Sequence, residues 1–164
     1  MPLQHSYPLP PSELLAIMID LDYLKARHER FKGVGTPEVE RTGSDAIITT
    51  VRQLPLDKIP GAFRGFVGDG QITQVDTWHL AESTAPDELP ILGDWRAELP
   101  SAPARMGGQH RVEPTEAGSD YTITVDISVK IPLFGAKVEE QVRGYMEHLI
   151  TKEQAFLGDW ILRQ

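Results

Sequence analysis

The chain has 164 residues, no cysteine, and 24 acidic against 16 basic side chains, for a formal net charge of −8. That length fits one ordinary domain that can bury a core without help, and the missing cysteines exclude disulfides, thiolate nucleophiles and thiolate metal sites together. The negative balance, with no basic stripe carrying interleaved aromatics, argues against nucleic acid as a partner. A cysteine-free chain suits a reducing interior. The N-terminal stretch has no cationic segment ahead of an apolar one, and its longest apolar run, Leu14 to Ile19, is too short for a signal core or a membrane span. The expected address is the cytoplasm, with no stable membrane insertion.

In chain order, Leu3, His5 and Tyr7 alternate with Gln4 and Ser6, the period of a short strand, which Pro8, Pro10 and Pro11 close. Two short helices are predicted next, Ser12 to Ile19 and Asp20 to Lys32, the second stopped by Gly33 and Gly35. Lys25, Arg27, His28, Arg30 and Lys32 form a local basic cluster that could meet an anionic lipid head or a phosphate, although a solvated helix face is the simpler reading. A hairpin follows, from Thr36 to Thr42 and Asp45 to Leu54, turning at Gly43-Ser44. Between Pro55 and Gly70, Ile59, Phe63, Phe66 and Val67 then fall at helical spacing, with Pro60 placed to start a turn and Gly68 to end it, predicting a short covering helix.

Strands resume over Gln71 to Leu80 and Ile91 to Leu99, where Ile91, Gly93, Trp95, Ala97 and Leu99 share one face. Ala104 to Val112 places Met106, Gly108, His110 and Val112 together, and Tyr121 to Ile131 alternates without error. From Leu133 to Arg163 an apolar stripe of Val138, Val142, Tyr145, Leu149, Phe156 and Trp160 predicts one helix, with Val142, Tyr145, Leu149 and Phe156 turned toward the sheet. Its length, roughly 40 Å, would cross a sheet of six or seven strands. The reading is α+β: a curved antiparallel sheet against one long C-terminal helix, residues 1–164 forming a single domain.

No Gly-x-Ser-x-Gly elbow, His-Glu-x-x-His helix or phosphate-binding glycine loop is present, and the five histidines offer no pair at metal-ligand spacing. The expectation is therefore no metal, no cofactor and no assigned catalytic residue. His5 and His110 nevertheless fall on inward faces. Either could act on a ligand, or be a core histidine satisfied by a backbone carbonyl or, for His110, by Tyr121. Arg96, Glu98, Asp126 and Lys130 fall on wet faces.

Strand, two short helices, six strands and a long amphipathic helix is an order that resembles the START-like (SRPBCC, helix-grip) superfamily. His5-Ser6-Tyr7-Pro8 with Glu13-Leu14-Leu15, Pro55 to Pro60 with Phe66-Val67-Gly68, Thr77-Trp78, and Ile131 to Glu139 resemble an uncharacterised bacterial family within it, a domain of unknown function. The resemblance implies a sheet curled around the last helix with a cavity between them. Cavity-lining candidates are Trp95, Met106, His110, Tyr121, Ile123, Val125, Val142, Tyr145 and Leu149, with Ile59, Phe63 and Phe66 at the mouth. The expected partner is a small hydrophobic or amphipathic molecule such as a lipid, isoprenoid or polyketide-like compound, bound without catalysis. Two alternatives stand beside it: an aromatase/cyclase or hydrolase enzyme using His110 or His5 as acid–base group, and a protein-interaction domain with a filled core.

Overall fold

A computed structural model describes residues 2–58, 61–65, 68–80, 87–98 and 104–164. Strand β1, Leu3–Tyr7, runs into Pro8 and Pro10, and helix α1, Pro11–Met18, starts on a proline whose fixed φ suits a first helical turn. Helix α2, Leu21–Arg30, is capped by Asp20, whose carboxylate accepts the Tyr23 amide at 3.3 Å. The hairpin of β2, Gly33–Thr42, and β3, Asp45–Gln53, turns at Gly43, held at φ +44°. A single 3-10 turn, Leu56–Lys58, and the one-turn helix α3, Gly61–Arg64, lead to β4, Gln71–His79. Then come β5, Ile91–Glu98, β6, Ala104–Thr115, β7, Gly118–Ile123, β8, Asp126–Val129, and helix α4, Gly135–Leu162.

Among the described residues every strand pairing is antiparallel, in the spatial order β1-β7-β6-β5-β4-β3-β2, with β8 also on β6. The single strand expected over Tyr121 to Ile131 is thus two. The break has a local cause: the Thr124 carbonyl accepts the Trp95 indole N–H at 3.0 Å, and the Val125 carbonyl accepts an Arg143 guanidinium N–H at 2.6 Å. Opposite the break, a Cβ on Gly108 would lie 1.9 Å from the Thr124 oxygen, so a side chain there would push the two strands apart. The register through the break is unshifted, which leaves Ile123, Val125, Ile127 and Val129 buried on one face.

Helix α4, about 42 Å long at 1.5 Å per residue, lies across the concave face and packs on β8, β1 and α2. Its polar side chains tie it down. Glu139 accepts the Val129 amide at 2.8 Å, the Tyr7 hydroxyl donates to the Gln154 carbonyl at 2.8 Å, and the Gln154 amide donates to the Leu3 carbonyl at 3.2 Å. The buried line of the helix is Val138, Met146, Ile150, Gln154 and Leu157. Val142, Tyr145, Leu149 and Phe156, expected at its centre, flank it half-buried. The stripe is wider than the sheet contact because α2 takes part of it: the Tyr23 ring sits 6.0 Å from Phe156 and 5.8 Å from Trp160. Among the described residues, no helix is long and apolar enough to cross a membrane.

Candidate functional site

The inward face of β4 carries Ile72, Gln74, Asp76 and Trp78, so alternation itself turns one carboxylate and one amide toward α4. Trp78 pairs across to Gly93, and Gly93 across to His110. With no side chain between them, the Trp78 and His110 rings stack at 4.5 Å with planes 21° apart. A Cβ on Gly93 would press on the Thr77 carbonyl at 2.6 Å and on the Trp78 ring at 3.2 Å.

His110 reaches Asp76 with Nε2 at 2.8 Å and Tyr121 with Nδ1 at 2.8 Å, and Asp76 also accepts the Gln74 amide at 3.0 Å. All three members of this Asp76–His110–Tyr121 chain are buried. Burial by itself raises the Asp76 carboxyl, but the hydrogen bond and charge of His110, the Arg27 charge and the Gln74 amide outweigh it and hold Asp76 below the ordinary carboxylate range. An ionised Asp76 can only accept, which assigns the Nε2 proton to His110. In the neutral ring Nδ1 then accepts from the Tyr121 hydroxyl. Burial and the nearby Asp76 charge push Tyr121 well above the usual phenol range, so that hydroxyl keeps its proton.

Facing this chain are charges from two helices and β3. Arg27 of α2 lies 3.8 Å from Glu153 of α4, which also forms a close ion pair with Arg52 of β3. Burial pulls Arg27 down, but Glu153, Tyr23, Asp76 and Tyr121 more than restore it, so the guanidinium stays charged. Its Nη2 is buried without a hydrogen-bond partner, as is the Thr50 hydroxyl. Asp76, His110 and Tyr121 on the sheet and Arg27 and Glu153 on the helices line a cavity of about 50 Å³. Its polar lining includes Arg27, Gln74, Asp76, His110, Tyr121, Glu153 and Gln154 and its apolar lining Trp95, Ile123, Met146, Leu149 and Leu157, the two interleaved where Trp95 stands opposite Asp76 and Ile123 opposite His110. The volume admits a few waters and lies well under the ~300–1,000 Å³ of sites that enclose drug-sized ligands.

Of the candidates read from sequence, Trp95, His110, Tyr121, Ile123 and Leu149 line this space. Met106 and Val125 are buried on the same face but toward the β8 end, where Met106 pairs with Ile127. Val142 and Tyr145 lie earlier on α4 than the cavity wall, which begins at Met146. Ile59, Phe66 and the side chain of Phe63 lie outside the described residues. His5 is half-buried against the Tyr7 ring at 4.7 Å and does not line the cavity. Arg96, Glu98, Asp126 and Lys130 are exposed.

The basic cluster divides. Lys25, Arg30 and Lys32 are exposed, but Arg27 and His28 turn inward, because Tyr23, Leu24, Arg27 and His28 share the helix face that packs on the core. Asp76, Gln74, Arg52, Glu153 and Gln154 were not singled out from sequence at all. The one signal for Asp76 was its parity with Trp78. Among the described residues, no group of three or more histidine and acidic side chains is arranged to hold a metal ion.

A long helix gripped by a curved antiparallel sheet is the START-like, or helix-grip, fold. The chain belongs to the DUF2505 family, described as a protein of unknown function, whose model matches residues 3–161. It is 28% identical over 153 residues to the uncharacterized protein Rv0481c of Mycobacterium tuberculosis, covering 87% of this chain and 84% of that one. The Zhui aromatase/cyclase from Streptomyces sp. R1128 superposes with a TM-score of 0.63 at 12% identity, covering 99% of this chain and 93% of the other. A START superfamily protein from Mycobacterium smegmatis superposes with a TM-score of 0.52 at 9% identity, covering 98% and 97%. At such identities the two structures share the fold with this chain.

Proposed function

We propose that this domain binds one small amphipathic molecule between the sheet and α4 without turning it over. The observation that carries this reading is the mixed lining of the cavity: Arg27, Asp76, His110 and Tyr121 offer polar contacts beside the apolar surfaces of Trp95, Ile123, Met146 and Leu149. Because the space is about 50 Å³, the ligand's polar head fits as it stands, and a longer tail requires α4 or its flanking segments to give way.

One observation favours a second reading, an acid–base enzyme. The Tyr121 hydroxyl is hydrogen-bonded to a histidine that is itself oriented by a buried carboxylate, an order of groups that can pass a proton to or from a bound oxygen. The aromatase/cyclase named above has the same fold, which is an analogy of scaffold and not of site.

A thermal-shift screen of amphipathic compounds separates these readings. A bound compound at one hundred times its dissociation constant stabilises the native state by ~2.7 kcal/mol, and Ile123→Phe, which fills the cavity, removes that gain. Recovery of the compound unchanged supports binding alone. Recovery of an altered compound selects the enzyme, and a screen without any shift selects the filled core.

A further inference from the structure

We infer that the polar end of the ligand is an uncharged carbonyl-type oxygen, a ketone, ester or amide, held by the Arg27 guanidinium. This rests on the binding reading above and adds the chemical class. Three observations carry it. Arg27 Nη2 is a buried donor with no acceptor, on a side chain that lines the cavity. Its other interactions are with Glu153 at 3.8 Å and with Tyr23, by a side-chain hydrogen bond and over the ring at 5.9 Å, so Nη2 is the group left for a guest. Tyr121 is hydrogen-bonded to His110 and the Gln74 amide is turned onto the Asp76 carboxylate, so Arg27 is the charged donor in the cavity lining whose Nη2 has no partner.

Charge selects among acceptors. Arg27 and Arg52 are matched by Glu153 and Asp76, so the arginine and carboxylate charges around the site cancel. A carboxylate or phosphate would add an uncompensated negative charge beside Asp76 in a buried space, a strongly disfavoured arrangement. An ammonium would meet Arg27 as a like charge. A neutral oxygen gives Nη2 its acceptor and changes nothing in that balance.

Three probes of similar size test this: 2-heptanone, hexanoate and heptane, titrated into the full chain while the indole N–H resonances of Trp78 and Trp95 are followed by NMR. The expected order is 2-heptanone tightest. Arg27→Met should weaken 2-heptanone about tenfold, the effect of one lost hydrogen bond to a charged donor, and leave heptane unchanged, which also shows that the cavity survives. Arg27→Lys keeps the charge but not the forked donor, and should weaken 2-heptanone in the same direction. Tighter binding of hexanoate than of 2-heptanone overturns the uncharged acceptor, and 2-heptanone binding insensitive to both variants overturns Arg27 as its anchor. If none of the three moves either indole resonance, the binding reading itself fails, an outcome distinct from the other two.

Discussion

Two histidine–aspartate arrangements sit on opposite faces of the same part of the sheet. His110 meets Asp76 at 2.8 Å with both side chains 6% exposed, while His79 lies 3.2 Å from Asp45 and 3.2 Å from Asp94 with its side chain 52% exposed. The residue types match, and the outer histidine even has one more carboxylate. The outer partners are hydrated and exchange their contacts with water at little net gain. The inner pair has no such alternative, so losing one partner strands the other without water. Depth within the sheet, more than chemistry, separates a candidate site from surface decoration.

The largest expected effect comes from breaking the inner pair. His110→Ala or Asp76→Ala should destabilise by ~3–5 kcal/mol, since each leaves a buried polar partner uncompensated. Urea unfolding checks this, and a loss under ~1 kcal/mol would show that water reaches the pair. Close behind is Leu157→Ala on the apolar wall, expected to lose ~2–5 kcal/mol at a side chain that is 2% exposed. Half-buried Leu149→Ala should lose less in the same measurement.

The two faces should also differ in pH response. Asp76 has a lowered folded pKa, so its contribution is complete above the unfolded carboxylate value of ~3.9 and is lost as pH falls through the folded one. Asp76→Asn should flatten that acid limb. At the other end, burial pushes Tyr23 up to about 12 and Tyr121 well above the usual phenol range. Their contribution is complete below the unfolded value of ~10 and is lost as pH rises beyond it. Ultraviolet titration should therefore show phenolate release delayed until unfolding, and Tyr121→Phe should lessen the alkaline loss. On the outer face, hydrogen bonding to Asp45 leads the effects that raise His79, so its contribution is present below ~6.5 and fades as pH rises through the folded value. It is the smallest effect: His79→Ala should change stability by less than ~0.5 kcal/mol, and salt should erase the difference.

What was legible in the sequence follows the same division. β5 reads inward as Ile91, Gly93, Trp95 and Ala97, apolar or small throughout, and period-two alternation identifies such a face directly. β4 reads inward as Ile72, Gln74, Asp76 and Trp78, and there a hydrophobic pattern misleads, because the functional candidates are the polar residues that interrupt it. Arg27 posed the same difficulty on a helix, where three of its neighbours in the basic cluster are exposed. Its partner Glu153 lies 126 positions away on α4, a separation that no local pattern spans. The long helix was legible because 28 residues of periodic apolar spacing outweigh local ambiguity. Its rotation was not, since a stripe shared between a sheet and a second helix does not declare which edge faces which.

If the space under α4 receives a small amphipathic molecule, native mass spectrometry of the chain expressed in and purified from its own source organism should detect it, with Ile123→Phe measured alongside. The predicted result is one adduct of small-molecule mass per chain on the wild type, absent from the folded variant. A wild-type chain that carries no adduct, or a variant that carries the same one, would contradict the binding reading.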